Sequence, residues 1–206
     1  MRRAKHLVQV GYDQIAPRFA AADTSHVAPW VARIAADLPS KANILDLGCG
    51  SGNEQVIPLA SRFSVLGVDI SRGQLALAQS RMPSATLVQG DIGSLQFAAN
   101  SFDAIIALYS IIHVPREEHG ALLARIHDWL RPGGRALVVL GGSDTPIGYE
   151  EDWFGAPMYW THFDAVTGLR MLREAGFEVI DSSLVVDPID DNGGSHLFAL
   201  CWKIYK

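Results

Sequence analysis

The chain holds little positive charge and little sulfur. Its 206 residues carry 17 Lys and Arg against 22 Asp and Glu, a net charge of −5. Such a composition lacks the bulk positive field with which nucleic-acid binders neutralise phosphates. The densest basic run is Arg2, Arg3 and Lys5, and three charges read as a solvated terminus. Only two cysteines occur, Cys49 and Cys201. Their spacing gives neither a disulfide framework nor a metal site, and no convergent set of carboxylates calls for a divalent ion. We therefore expect no metal. No apolar run reaches the ~18 residues that span a bilayer, and no signal peptide precedes the first helical stretch. These absences predict a cytoplasmic protein that engages neither membrane nor nucleic acid. No repeat, low-complexity tract or linker divides the chain. With 49% hydrophobic and 19% charged residues, its length suits one globular domain, 1–206.

What is present concentrates at residues 43–53, Asn-Ile-Leu-Asp-Leu-Gly-Cys-Gly-Ser-Gly-Asn. The apolar run breaks abruptly into Gly48, Gly50 and Gly52. This is the pattern of a buried strand ending in a turn whose glycines let a ligand approach the backbone, with a helix N-terminus beyond. A phosphate loop would place Gly-Lys-Ser/Thr after the turn, and this turn has no lysine. The dinucleotide fingerprint needs G-x-G-x-x-G, whereas the spacing here is G-x-G-x-G. Both phosphate readings lose ground.

The segment "ILDLGCGSG" resembles the first motif of the class I S-adenosylmethionine-dependent methyltransferases, of the small-molecule type. The likeness continues in order through "SVLGVDIS" (64–71), "LVQGDI" (87–92), "FDAIIALYSIIHV" (102–114) and "LRPGGRALVVL" (130–140). The resemblance implies a Rossmann-like α/β fold: a seven-stranded, mostly parallel sheet of order 3-2-1-4-5-7-6, its seventh strand antiparallel, with helices on both faces. It implies S-adenosylmethionine as cofactor and S-adenosylhomocysteine as product. The cofactor site it implies comprises Tyr12, Asp46, Gly48, Cys49, Gly50, Gly52, Asp69, Ile70, Asp91, Ile92 and Leu108. Within it Asp69 would hold the ribose and Asp91 would face the adenine amine, with the Ile92 N–H on the ring. Asp69 ends an apolar run, which suits a carboxylate accepting from two hydroxyls at a strand's carboxyl end. The plainer alternative is that Asp69 and Asp91 cap the helices that follow them. Asp46 reads equally as support for the turn or as a contact to the cofactor's amino group.

The strand–helix rhythm agrees. Strands are expected at 43–47, 64–69, 85–89, 104–108, 135–140, 177–186 and 195–204. Helices are expected at 4–22, 27–37, 53–61, 72–81, 116–129 and 164–175, the third kinked or interrupted by Pro58. Residues 1–40 form an N-terminal helical cap. Residues 190–194, Asp-Asp-Asn-Gly-Gly, read as a hairpin joint.

Three regions bear on the methyl acceptor. The stretch "YDQIAPRF" (12–19) resembles the segment that folds over the cofactor, which puts Tyr12 near the methionine end and Phe19 near the acceptor. Alternatively both rings pack this helix on the sheet. The end of the fourth strand reads Leu108-Tyr109-Ser110-Ile111-Ile112-His113, without the Asn/Asp-Pro-Pro-aromatic motif of enzymes that methylate nucleobase or side-chain amide nitrogens. His113 is a candidate base, or a residue that ties down its loop. Residues 141–163 show no periodicity and read as a long lid or substrate loop. Trp153, Tyr159 and Trp160 within it, together with Phe19 and Tyr109, are candidate acceptor contacts; His162 is a second candidate base. Those aromatics would otherwise seal the sheet edge or form a dimer contact.

The expectation is a methyltransferase acting at oxygen or nitrogen of a small, aromatic or apolar acceptor, as a monomer or homodimer. Rival readings are a cofactor-binding domain without methyl transfer, and a protein or RNA methyltransferase.

Overall fold

A computed structural model describes residues 2–189 and 193–204. The chain enters with α1 (Arg2–Phe19) and α2 (Ala28–Ala35). Pro29 sits in the first turn of α2, where its missing N–H costs nothing. Alternation follows: β1 (Asn43–Leu47), α3 (Ile57–Ala60), β2 (Ser64–Asp69), α4 (Arg72–Arg81), β3 (Thr86–Gln89), β4 (Phe102–Ala107), α5 (Arg116–Trp129) and β5 (Leu130–Gly141). The second half adds β6 (Thr145–Trp153), β7 (Ala156–His162), α6 (Ala165–Glu174), β8 (Glu178–Val186) and β9 (Ser195–Trp202).

Seven strands form one sheet in the order β3-β2-β1-β4-β5-β9-β8. Strands β3 to β5 run parallel, and β9 lies antiparallel to both neighbours. This is the expected order, with β8 and β9 as the sixth and seventh strands. Helices cover both faces, so the central strands are apolar on both sides. Leu45, Leu47 and Ile105 pack with Leu122, Ile126 and Trp129 of α5 and Leu172 of α6. Their strand neighbours Ile44, Ile106 and Leu137 face the other way, onto Trp30, Val31 and Ile34 of α2.

Two expectations are corrected. The helix expected over 53–61 is reduced to the single turn Ile57–Ala60. Pro58 falls in its first turn, and a proline ring forbids the helix from extending upstream. The segment 141–163 is not an irregular loop: β6 and β7 pair as an antiparallel hairpin, a second two-stranded sheet. The joint between β8 and β9 includes residues 190–192, outside the described residues; Val186 pairs with Ser195 across it.

The hairpin's partner is α1. Val8 and Ile15 pack against Ala156 and Met158 of β7. At Gly11 a Cβ would stand 2.7 Å from the Pro157 carbonyl oxygen, so glycine is what lets the helix lie this close to the strand. Helix and hairpin together cover the carboxyl ends of β1, β2 and β4, where ligands bind in open α/β sheets.

Candidate active site

Under that cover lies a cavity of about 600 Å³, within the range of small-molecule sites. One end is built by the glycine turn. Gly48, Gly50 and Gly52 have φ of 75°, 54° and 84°, a region costly for side-chain-bearing residues. At Gly48 a Cβ would fall 2.3 Å from the Ser110 Cβ, so the turn passes β4 only as glycine. Both Gly48 N–H and Cys49 N–H donate to the Val68 carbonyl, which ties the turn to β2. The Cys49 thiol is buried, and burial pushes its pKa far up, so it is a packing group rather than a nucleophile.

Asp69 ends β2 and is 8% exposed. Its Oδ2 accepts from Gly50 N–H and its Oδ1 from Ser71 N–H, each at 2.8 Å. Burial pushes its pKa up to about 6, against the opposing pull of these bonds. Asp69 lines the cavity, and a carboxylate has acceptor capacity beyond these bonds. Asp46, on β1, is 3% exposed, and its Oδ2 has no hydrogen-bond partner. Burial, with the Asp69 charge adding to it, pushes the Asp46 pKa up to about 7.

Two further polar groups share this condition. The Gln74 side chain, at the start of α4, is 1% exposed and lines the cavity with both amide atoms unpartnered. The Ser110 Oγ, just after β4, is likewise buried and unpartnered. Buried polar groups are nearly always satisfied, so three such groups facing one cavity mark where a polar ligand docks. Gln74 was absent from the sequence reading. Its signal was weak: a glutamine five residues beyond the strand-ending aspartate, on a helix without an apolar stripe.

Asp91 lines the cavity; its Oδ1 accepts from Gly93 N–H at 2.8 Å and its Oδ2 forms a 2.9 Å ion pair with Lys5 of α1. Lys5 also pairs with Glu118 at 2.6 Å. Ile70, Ile92 and Leu108 line the same cavity. The Asp13 carboxylate, also on α1, accepts from the Ser71 hydroxyl at 2.6 Å and from Gly73 N–H at 2.9 Å. Charge-assisted bonds thus fasten α1 over β2 and β3.

The other end of the cavity is aromatic. Tyr12, Phe19, Trp153 and Trp160 line it, with Tyr12–Phe19 and Phe19–Trp153 ring centroids each 5.3 Å apart. Tyr109 lines it too, at φ 54°, a strained conformation for a bulky residue. Its hydroxyl is 2.7 Å from His26 Nε2. Tyr159 does not line the cavity. Both rings pack against the α1 cluster, but neighbours on a strand face opposite ways and only Trp160 lines the cavity.

Tyr159 contributes main chain instead: its carbonyl lies 2.7 Å from His113 Nδ1. A carbonyl only accepts, so Nδ1 carries the proton and Nε2 is an acceptor. The Tyr12 hydroxyl, 2.9 Å away, donates to that Nε2. Burial pushes the His113 pKa down to about 4, so the ring is neutral at pH 7. His162 is similarly placed: its Nδ1 donates to the Ser143 carbonyl at 2.8 Å, and burial lowers its pKa. His196 and Asp187, from the β8–β9 hairpin, also line this end and were not anticipated. They stand 3.5 Å apart, Nδ1 to Oδ2. Among the described residues, no group of histidines, cysteines and carboxylates is arranged to hold a metal ion.

This sheet order, with a glycine turn after β1 and an acid at the end of β2, is that of the class I S-adenosylmethionine-dependent methyltransferases. Residues 44–134 match the family model described as a methyltransferase domain, which supports that class. Among its relatives, trans-aconitate 2-methyltransferase of Deinococcus radiodurans is 42% identical over 101 residues, covering 47% of this chain and 37% of the relative. Phosphoethanolamine N-methyltransferase 3 of Arabidopsis thaliana is 29% identical over 152 residues, covering 70% and 30%. The chain thus spans about a third of the length of these relatives. A solved structure of the 1,6-didemethyltoxoflavin-N1-methyltransferase of Burkholderia thailandensis, with S-adenosylhomocysteine bound, superposes with a TM-score of 0.67 at 26% identity; the match covers 92% of this chain and 83% of that one.

Proposed function

We propose that the protein transfers a methyl group from S-adenosylmethionine to oxygen or nitrogen of a small acceptor with an aromatic or apolar body. The observation that carries this is the convergence of Asp46, Gln74 and Ser110, buried and unpartnered, on the cavity beside the glycine turn. A ligand bearing an amino group, a carboxylate and hydroxyls satisfies all three. Asp46 suits its ammonium, Gln74 its carboxylate or ammonium, and the remaining acceptor capacity of Asp69 the ribose hydroxyls. Asp91 and the main chain at Ile92 border the place of the adenine ring, with Asp91 keeping Lys5 as its partner. The bound cofactor supplies a sulfonium-activated methyl group.

The chain's own task is alignment and exclusion of water, since in-line transfer from sulfur needs no covalent help from the protein. Tyr12, Phe19, Trp153 and Trp160 provide the apolar wall against which an acceptor ring lies flat or edge-on. The hairpin β6–β7 serves as the lid. With both ring nitrogens committed, His113 positions the Tyr12 hydroxyl rather than taking a proton. One chain supplies every wall of the cavity, so the reading holds for a monomer or a homodimer. Calorimetric titration with S-adenosylmethionine and S-adenosylhomocysteine tests it. Micromolar binding of both is expected; a folded protein that binds neither overturns the proposal.

A further inference from the structure

The charges around the acceptor end restrict what the acceptor carries. Among the described residues, the Lys and Arg side chains that line the cavity, Lys5 and Arg81, are both spent. Lys5 is held by Asp91 and Glu118, and Arg81 by Glu54 and Ser51. The carboxylates at the acceptor end are Glu150, Asp152 and Asp187. Glu150 and Asp152 are exposed on the lid, whereas Asp187 is half-buried. The Asp187 side chain is fixed by Ile189 N–H, which donates to its Oδ1 at 2.9 Å, and by His196 beside its Oδ2. Its charge is felt by the cavity's tyrosines, since it helps to raise the pKa values of Tyr12 and of Tyr109, whose ring packs against His196. An anionic acceptor would enter this end against these carboxylates with no unspent lining cation to meet it.

The histidines restrict it further. An alcohol or phenol must lose a proton as it attacks, yet His113 and His162 are both held neutral by burial with depressed basicity. The Nε2 lone pair of His113 is also occupied by the Tyr12 hydroxyl. A site with such weak bases suits an acceptor that frees its lone pair without help from these rings, either an amine that has shed its proton to solvent or a carboxylate. The charges decide between the two.

We infer, resting on the methyltransferase reading above, that the acceptor is an amine on an aromatic or apolar body and that Asp187, with His196, is the residue pair that selects it. The amine's ammonium form docks against the Asp187 carboxylate while its ring lies along Phe19, Trp153 and Trp160. The docked ammonium first gives up its proton to solvent. The neutral amine's lone pair then forms the N–C bond as the S–C bond breaks; the sulfonium becomes a neutral thioether and the product leaves as a methylated ammonium. This sets the chain apart in acceptor chemistry from a relative whose named substrate is a tricarboxylate.

The test uses protein saturated with S-adenosylhomocysteine, titrated at pH 7 with phenethylamine and with phenylacetate, in wild type and in Asp187→Asn. Phenethylamine should bind at least about tenfold more tightly than phenylacetate, and Asp187→Asn should erase most of that preference. Equal or tighter binding of phenylacetate, or binding of neither probe, overturns the inference. A preference that survives Asp187→Asn removes Asp187 from the role. Saturation with S-adenosylhomocysteine is itself the control. If it fails, the methyltransferase reading falls; if it succeeds and the amine fails, the amine assignment alone falls.

Discussion

Two buried carboxylates face the same ligand, and their partners divide their work. Asp69 is held at both oxygens by backbone N–H groups, so its charge is supported by the protein before any ligand arrives. If it also accepts from two ribose hydroxyls, Asp69→Ala removes charge-assisted bonds worth on the order of 1.5–3 kcal/mol. Calorimetry with S-adenosylhomocysteine should then show affinity lower by roughly 10- to 150-fold; unchanged affinity in a folded variant removes Asp69 from the site. Asp46 has an oxygen with no such support, and its pKa is pushed up to about 7 by burial. A carboxylate whose folded pKa is raised contributes stability that is fully present below its unfolded pKa, ~3.9, and lost as pH rises through the folded pKa. The ligand-free protein should therefore lose melting temperature between pH 4 and pH 8 partly through Asp46. Asp46→Asn should melt higher than wild type at pH 8, with the gap closing toward pH 4. Equal melting temperatures at pH 8 would show that Asp46 is not strained by burial. The same variant should bind S-adenosylmethionine more weakly, because its ammonium loses a charged partner.

At the scale of elements, the glycine turn and the strand beside it are one device. Gly48→Ala forces a Cβ into Ser110 at a positive φ, a strain of about 1–3 kcal/mol before the clash is counted. The turn must then shift away from β4. We expect S-adenosylhomocysteine binding to be lost while circular dichroism shows the sheet intact; retained binding would mean that the turn has slack. This device was readable in sequence because β1 is buried on both faces and is apolar but for Asp46 from Ile44 until it stops, so Leu47-Gly48 marks its end sharply. Strands β1 and β2 and helices α4 and α5 fall on their expected boundaries for similar local reasons. The lid was not readable. Most of β6 is solvent-exposed on both faces, so no alternation of apolar and polar residues announces a strand, and its pairing with β7 shifts register twice. Cavity residues from distant segments were equally hidden. Lys5, Gln74, Asp187 and His196 come from the first helix, the fourth helix and the last hairpin, and nothing local says that they meet. His196 alone left a trace, as a polar residue opening an otherwise apolar strand, Ser195–Trp202. Tyr159 was misplaced because two adjacent aromatics in a supposed loop carry no facing; once on a strand, Trp160 and Tyr159 must point opposite ways.

For the molecule as a whole, the cavity is a joint between parts distant in sequence. Strands β1, β2 and β4 form its floor, α1 and the β6–β7 hairpin its roof, and the β8–β9 hairpin its acceptor end. Lys5 and Asp13 pin α1 to groups at the ends of β2 and β3, on the cofactor side of that joint. Asp46, Gln74 and Ser110 stand unpartnered beneath that roof. Among the described residues no helix is long and apolar enough to cross a membrane. A ligand that binds only the assembled joint must stabilise the whole fold by mass action. At about 100 times its Kd, S-adenosylhomocysteine should add ~2.7 kcal/mol. For a domain of this length that raises Tm by roughly 5–11 °C. Lys5→Ala loosens the roof on the cofactor side, and it should lower the ligand-free Tm slightly but shrink the ligand-induced rise more. An equal rise in wild type and variant would show that α1 is a passive cover whose pinning takes no part in closing the site.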